Sequence, residues 1–190
     1  MRNRVNLMVI LGLLGIIGWR IVDYVSTSGE KDVEEVSGKV LAEESSEIGL
    51  QEGMKPPSFE LNTLDGNTIS LSEMKGKKVI LNFWATWCPP CKAEMPHMQD
   101  FYEESHDKNI EILAVNLSTA EKNTKHIGEF ASDYKLTFPI LLDITGEVGD
   151  TYQAFTIPTS YIIDSNGIIR KKIIGPMDKE MMKELISNIE

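Results

Sequence analysis

Both cysteines of the 190-residue chain, Cys88 and Cys91, lie in a single C-x-x-C motif, and this motif constrains the fold more than any other feature. Thiols at this spacing can form and break a disulfide across one helical turn, or they can supply half of a metal site. The apolar run 79–85 has the character of a buried strand, and two prolines follow Cys88. This strand-to-helix corner places Cys88 at a helix N-terminus, where free N–H groups and the helix dipole favour an anion.

Three uses of the cysteine pair are open: redox catalysis, a structural disulfide and a zinc half-site. A disulfide that closes so short a loop removes little entropy from the unfolded chain, so it stabilises poorly. Structural zinc usually takes four cysteine or histidine ligands, and only His97, His106 and His126 could supplement the sulfurs. Lys92 rather than histidine follows Cys91, which removes the c-type haem attachment pattern. Redox catalysis is the favoured interpretation, and neither a metal nor another cofactor is expected.

A proline at the start of a downstream strand is the second chemical signal. Ile157 and Pro158 precede the alternating, β-branched run 159–164. Such a proline is either an ordinary entry into an edge strand or a cis-proline in a tight turn. Because a C-x-x-C also follows an earlier strand, the cis-proline interpretation is favoured.

These two motifs resemble the thioredoxin superfamily, in which a cis-proline faces the C-x-x-C and the backbone before it pairs with the substrate chain. Further segments resemble the TlpA/ResA group of membrane-anchored thiol-disulfide oxidoreductases. The resemblance is most specific over residues 87–96, where Cys91 is followed by Lys92, Glu94, Met95 and Pro96. The other matching segments are 56–59, 64–66, 71–77 and Gly175.

The order of strand-like and helix-like segments predicts an α/β fold. Two short segments, 59–61 and 68–71, flank Asp65 and Gly66 and predict an added N-terminal β-hairpin. Alternating strands and helices, then a hairpin and a helix, predict a thioredoxin-like mixed sheet flanked by helices. The predicted strands are 79–85, 110–117, 138–142, 160–164 and 168–174; the predicted helices are 89–105, 124–134, 147–155 and the segment that Asp178 opens.

The position of each cysteine relative to the helix start predicts its role. Cys88 precedes the helix, so it is expected to be exposed and to act as the nucleophile, whereas Cys91 lies one turn inside. Pro89 and Pro90 have no N–H, so the amide of Cys91 is a donor that remains available to the Cys88 thiolate. Trp87, Pro89, Pro90, Ile157 and Pro158 are the expected substrate contacts.

Glu94 is the candidate proton acceptor for Cys91. Asn82 stands where soluble thioredoxins carry a buried acid in the matching Asp-Phe-Trp-Ala stretch, so that base is missing here. Glu94 lies three residues after Cys91 and therefore on the same helix face, and the TlpA/ResA resemblance implies a glutamate at this place. The other interpretation is an ordinary carboxylate on the helix surface.

The N-terminus predicts a membrane anchor within residues 1–28. Residues 5–19 are apolar except for Asn6, which suits the core of a signal peptide, and extension to Val25 gives a spanning length if Arg20 reaches the interface. The small residues 26–28 form only a weak cleavage site, so an uncleaved, single-pass anchor is preferred. Arg2 and Arg4 should keep the start of the chain cytoplasmic, which puts the cysteines on the extracytoplasmic side.

Composition indicates the character of residues 29–52 and limits the classes of partner. Residues 29–52 hold eight acidic and two basic residues, which predicts a flexible acidic stalk before a thioredoxin-like domain at 53–190. The formal charge of −10 argues against a nucleic-acid partner.

The resemblance implies an extracytoplasmic enzyme that reduces protein disulfides, such as those of apocytochrome c during cytochrome c maturation or of spore-related proteins. It also implies a membrane thiol-transfer donor of the CcdA type. Three other classes remain open: a thiol peroxidase of the peroxiredoxin type, a copper-binding protein on this fold, and an interaction domain.

Overall fold

The computed structural model describes residues 47–105 and 108–189. The predicted anchor at 1–28 and most of the predicted stalk lie outside these ranges. Within them, no helix combines the length and apolar character needed to cross a membrane.

The described residues form two sheets and helices on both sides of the larger one. The strands are β1 (Glu60–Asn62), β2 (Thr68–Ser70), β3 (Lys78–Trp84), β4 (Ile110–Asn116), β5 (Ile140–Leu142), β6 (Thr159–Ile163) and β7 (Ile169–Ile174). The α-helices are α1 (Pro89–Ser105), α2 (Lys125–Asp133), α3 (Glu147–Thr151) and α4 (Lys179–Ser187).

The larger sheet is mixed, with strand order β5-β4-β3-β6-β7. The strands β3, β4 and β5 are parallel, whereas β6 pairs antiparallel with both β3 and β7. The central strand β3 is buried almost throughout, as its apolar run predicts. The thioredoxin-like mixed sheet with flanking helices is therefore confirmed.

The small sheet lies at the β5 edge. β1 and β2 pair antiparallel, and Gly66 in the connection between them has a φ of +87°, a value that favours glycine. Leu64 donates a backbone hydrogen bond to Ile140 at 2.9 Å, and Thr63 bridges to Leu141.

Alternate residues of β3 point into two different cores. Ile80 and Trp84 pack with apolar residues of α1, α2 and α4, while Leu81 and Phe83 pack on the other face with Tyr152 and Tyr161. Asn82 occupies the position between Ile80 and Trp84, so the period of two directs it toward α1. A buried polar side chain therefore lies beneath the helix that carries the cysteines.

The predicted boundary between the stalk and the domain was wrong. Residues 47–52, assigned to the stalk, contact the domain: Lys55 donates to the Glu47 carbonyl at 3.0 Å, and Leu50 packs on the second core. Backbone hydrogen bonds and one apolar side chain hold this segment despite its acidic character.

The helix predicted at 147–155 ends at Thr151. Its C-terminus is closed by a Schellman motif, in which Gln153, with a φ of +52°, donates to Asp150 and Ala154 donates to Gly149. These bonds satisfy the last carbonyls of the helix and leave Phe155 outside it, with 79% of its surface exposed.

Asp164 organises the turn between β6 and β7. Its buried carboxylate accepts hydrogen bonds from the amides of Asn166 and Ile168, both at 2.9 Å, and from Arg170 Nε at 2.6 Å. In the hairpin that it stabilises, Pro158 lies immediately before β6, and the amide of Gly175 donates to the Pro158 carbonyl at 2.9 Å.

Asp164→Ala should lower the free energy of unfolding by about 2 kcal/mol, because the turn amides and Arg170 lose their acceptor. Denaturant unfolding followed by circular dichroism measures this change. Arg170→Gln is the matched control and should cost about 1 kcal/mol or less, because its side chain is 44% exposed. Equal losses for the two variants would contradict this role of the carboxylate.

Candidate active site

The disulfide lies where β3 turns into α1. Cys88 caps the helix, since its carbonyl accepts the amide of Lys92 at 3.1 Å, and Cys91 lies one turn inside. The two residues form a disulfide with their Cα atoms 5.3 Å apart. A disulfide at this spacing at a helix start can open to a dithiol and close again.

The amide of Cys91 lies 3.3 Å from Cys88 Sγ and is directed at it. Pro89 and Pro90 occupy the first two positions of α1 and offer no N–H there, as the sequence indicated. An amide in this position is suited to donate a charge-assisted hydrogen bond to a Cys88 thiolate.

The expectation that Cys88 is exposed was wrong for the disulfide form. Cys88 has 3% of its surface exposed and Cys91 has none. The loop before β6 lies against the sulfur, and the carbonyl oxygen of Ile157 is 3.6 Å from Cys88 Sγ. A disulfide sulfur has no proton to donate, so this is a van der Waals contact in the oxidised state.

The fold brings the predicted proline loop to the cysteines. The peptide bond between Ile157 and Pro158 is cis, in agreement with the favoured interpretation. Thr159 Oγ1 donates to the Thr156 carbonyl at 2.6 Å and so closes the loop on itself. Pro158 is buried, whereas Ile157 is half-buried with its carbonyl directed toward Cys88.

The other predicted contact residues lie on the surface around the disulfide. Pro89 and Pro90 are exposed, and Trp87 is 53% exposed. The Trp87 indole donates to the Ala120 carbonyl at 3.0 Å, which fixes the ring beside the cysteines. Trp84 is fully buried instead and packs on Phe130 with ring centroids 5.0 Å apart.

Glu121 holds the residue before Trp87 and was not identified from the sequence. Its carboxylate accepts the Thr86 amide at 2.7 Å, the Thr86 hydroxyl at 2.6 Å and the Asn116 amide group at 2.9 Å. The one available signal was that β3 and β4 are parallel and end at the same edge of the sheet. Sequence alone does not say which residue after β4 reaches across.

Glu94 lies on the buried face of α1, not on the helix surface. It has no exposed surface, accepts the Met177 amide at Oε1 (2.9 Å) and accepts Asn82 Nδ2 at Oε2 (3.1 Å). Burial raises the pKa of Glu94 to about 7, and the two hydrogen bonds oppose that rise without cancelling it. A carboxyl group with this pKa can exchange a proton near neutral pH.

Asn82 and Ser160 complete the buried polar group. They are direct cross-strand partners on β3 and β6, and Asn82 Nδ2 donates to Ser160 Oγ at 2.9 Å. The sequence indicated Asn82, because soluble thioredoxins carry a buried acid at the matching position. It gave no signal for Ser160 or for the Met177 amide. These contacts depend on long-range pairing between strands and on the path of the loop before α4.

The described residues offer no cluster of three or more histidine, cysteine or acidic side chains that could hold a metal ion. His97 and His126 are exposed, and His106 lies outside the described ranges.

Comparison with known proteins agrees with the site. The model of the AhpC/TSA family matches residues 53–172. Sporulation thiol-disulfide oxidoreductase A of Bacillus subtilis is 43% identical over 129 residues, which are 68% of this chain and 78% of that protein. Thiol-disulfide oxidoreductase ResA of Bacillus thuringiensis is 33% identical over 190 residues, 99% of this chain and 98% of that protein.

A solved structure gives the same result for the fold. The crystal structure of StoA from Bacillus subtilis matches with a TM-score of 0.62 and 43% identity, and the match covers 68% of this chain and 96% of that one. A redox-capable pair at a helix start, in a chain with these relatives, identifies the activity. The chain belongs to the AhpC/TSA family and is a thiol-disulfide oxidoreductase of the ResA and StoA type.

Proposed function

We propose that this oxidoreductase reduces disulfides of proteins outside the cytoplasm. The observation that carries the proposal is the position of Cys88 Sγ, 3.3 Å from the Cys91 amide and 3.6 Å from the Ile157 carbonyl. The amide stabilises an attacking thiolate. The carbonyl belongs to the backbone that, in the resembled superfamily, pairs with the substrate chain.

The reaction transfers two electrons through a mixed disulfide. The Cys88 thiolate attacks one sulfur of the substrate disulfide, forms a new S–S bond and releases the first substrate thiolate. Cys91 then loses its proton and attacks Cys88 Sγ, which releases the second substrate thiolate and closes the Cys88–Cys91 disulfide. The enzyme is oxidised as the substrate is reduced.

Glu94 acts as the base in the second step. Its carboxylate accepts the proton that Cys91 must lose, and its pKa of about 7 allows it to pass that proton on near neutral pH. Cys91 and Glu94 lie three residues apart on α1 and Cys88 caps the same helix, so we expect the three groups of the reduced enzyme to titrate as a coupled set.

The substrate chain docks on the surface around Cys88. Trp87, Pro89 and Pro90 provide an exposed apolar rim on one side of the disulfide, and Ile157 and Pro158 provide the backbone on the other side. Envelope proteins such as apocytochrome c are the proposed substrates. The name of the sporulation relative supports spore-related proteins as well.

Catalytic turnover requires a reductant, because each cycle leaves the enzyme oxidised. We infer a membrane thiol-transfer donor of the CcdA type, with residues 1–28 as a single-pass anchor and the catalytic domain on the extracytoplasmic side. The similarity to ResA extends over 99% of this chain and so includes the N-terminal segment. The basic start of the chain supports the orientation.

Cys91→Ala should trap substrates as mixed disulfides, because the attacking cysteine remains and the releasing one is lost. Non-reducing electrophoresis and mass spectrometry of the full chain in cells should reveal adducts on Cys88 that dithiothreitol removes. Cys88→Ala is the matched control and should trap far less. Equal trapping by Cys88→Ala would reverse the assignment of the nucleophile, and peroxide consumption without disulfide reduction would favour the peroxidase class.

Glu94→Gln keeps the shape of the side chain and removes the base. Release of the mixed disulfide at pH 7 should slow by roughly one to two orders of magnitude, with the pH profile moved upward toward the ordinary thiol pKa. Stopped-flow thiol-disulfide exchange from pH 5 to 10 measures this effect. Superimposable pH profiles for the wild type and Glu94→Gln would show that Glu94 has only a structural role.

The same substitution should change the pH dependence of stability. Folded Glu94 keeps its proton up to about pH 7, whereas its ordinary pKa is 4.5, so the folded state binds more protons between these values. Its contribution to stability is therefore full below pH 4.5 and is lost as the pH rises through 7. Glu94→Gln should remove that slope, which is at most about 1.4 kcal/mol per pH unit.

The anchor can be tested by fractionation and intact mass. The full-length chain should stay in the membrane fraction after alkaline carbonate and be released by detergent. Leu13→Arg together with Ile16→Arg should weaken membrane retention, because each charge costs about 3 kcal/mol at the centre of a spanning helix. A soluble form beginning near Ser28 would overturn the anchor.

A further inference from the structure

Asn82 makes an asymmetric set of hydrogen bonds in the buried polar group. Its Nδ2 donates both to Glu94 Oε2 at 3.1 Å and to Ser160 Oγ at 2.9 Å. Its Oδ1 is also buried and accepts no hydrogen bond from the part of the chain that the structure describes. None of the three residues has exposed surface.

The surroundings fix the positions of the groups around this amide. Ser160 is held opposite Asn82 by the pairing of β3 and β6, and Glu94 is held by α1. The Met177 amide donates to Glu94 Oε1, so that oxygen keeps its partner whether or not the carboxyl group is ionised. Oε2 is therefore the oxygen whose hydrogen bond with Asn82 must change when Glu94 is protonated.

Protonation of Glu94 creates a conflict that an amide can resolve. A proton on Oε2 would point at the Nδ2 group, and two donors cannot form a hydrogen bond. Rotation of the Asn82 amide by half a turn brings Oδ1 to the same place. Its two lone pairs can then accept from the Glu94 carboxyl and from the Ser160 hydroxyl, so the number of hydrogen bonds is preserved.

Local hydrogen bonds, rather than charged neighbours, govern the response of Asn82 to the proton on Glu94. The other titratable groups of the site are Cys91 on α1 and Cys88 at the N-terminal cap of that helix, and the disulfide that joins them carries no charge. Asn82 on β3 and Ser160 on β6 are neutral, and the group that reaches Glu94 from the loop before α4 is a backbone amide. The causes of the Glu94 pKa shift are burial and the Met177 and Asn82 hydrogen bonds, without a charged neighbour.

We propose that Asn82 is a positioning residue whose side-chain amide reorients with the proton on Glu94, donating to the carboxylate and accepting from the carboxylic acid. This inference rests on the proposed role of Glu94 as a base. It explains why a neutral amide suits the position: the proton from Cys91 can enter and leave without a net loss of hydrogen bonds. An aspartate in its place would add a second buried carboxyl beside Glu94.

Nuclear magnetic resonance on the disulfide form of the full chain in detergent tests the reorientation, because the cysteines do not titrate there. At high pH the Asn82 NH2 protons should show nuclear Overhauser contacts to Ser160 Hβ. These contacts should disappear with the same midpoint as the Glu94 carboxyl ¹³C titration. In Glu94→Gln, whose amide can donate to Oδ1, Asn82 should show the low-pH pattern from pH 5 to 9.

A variant pair gives the functional readout. Asn82→Leu removes a charge-assisted bond from the ionised state and a weaker neutral bond from the protonated state. The Glu94 midpoint and the pH profile of mixed-disulfide release should therefore move up by roughly half a unit to one unit. Gln99→Leu is the control: Gln99 is a buried amide on α1 that donates to Glu103 and Thr137, both at 2.9 Å. It should leave both midpoints unchanged.

The outcomes separate this inference from the function on which it rests. If Glu94 titrates and Glu94→Gln alters the kinetic profile, but the Asn82 contacts to Ser160 persist at both pH extremes, the reorientation is refuted and the base remains. If Glu94→Gln leaves the kinetic profile unchanged, the base is refuted and the inference is refuted with it. The wild-type spectra decide the reorientation even if Asn82→Leu does not fold.

Discussion

The antiparallel pairing of β3 with β6 is the constraint on which the site depends. β3 runs directly into the cysteine corner and β6 begins directly after Pro158, so the register Phe83↔Thr159 brings the two loops together. The Ile157 carbonyl consequently lies beside Cys88. The same register sets Ser160 opposite Asn82 and so builds the polar group beneath α1. One strand pairing thus positions both the proline loop beside the cysteines and the buried polar group beneath α1.

The site combines an accessible rim with a closed interior. Trp87, Pro89 and Pro90 lie on the surface, whereas Cys91, Glu94 and Asn82 are fully buried. Burial of Glu94 makes its ionised form less favourable, which moves its pKa toward neutrality. A solvated carboxylate on the same helix would stay ionised at neutral pH and would be a weaker base. The position of the side chain in the fold, more than its chemical identity, gives Glu94 its proposed function.

Residues that follow β4 also hold the turn between β3 and α1 in place. Glu121 binds the backbone and hydroxyl of Thr86, and the Ala120 carbonyl holds the Trp87 indole. These contacts tie the two residues before Cys88 to the segment that follows β4. Hydrogen bonds that hold surface residues before a partner arrives reduce the entropy cost of association.

The sequence by itself determined the redox pair, the helix that follows it, the order of strands and helices, and the cis-proline as a partner of the cysteines. These features follow from local periodicity and from motifs whose residues are close in the chain, together with the family resemblance. Only the tertiary structure decided that Cys88 is covered in the disulfide form, that residues 47–52 pack on the domain, and that Glu94 meets Asn82, Ser160 and the Met177 amide. Those contacts join residues up to 83 positions apart. Local pattern cannot specify them, because strand register and loop path are set by the packing of the whole sheet.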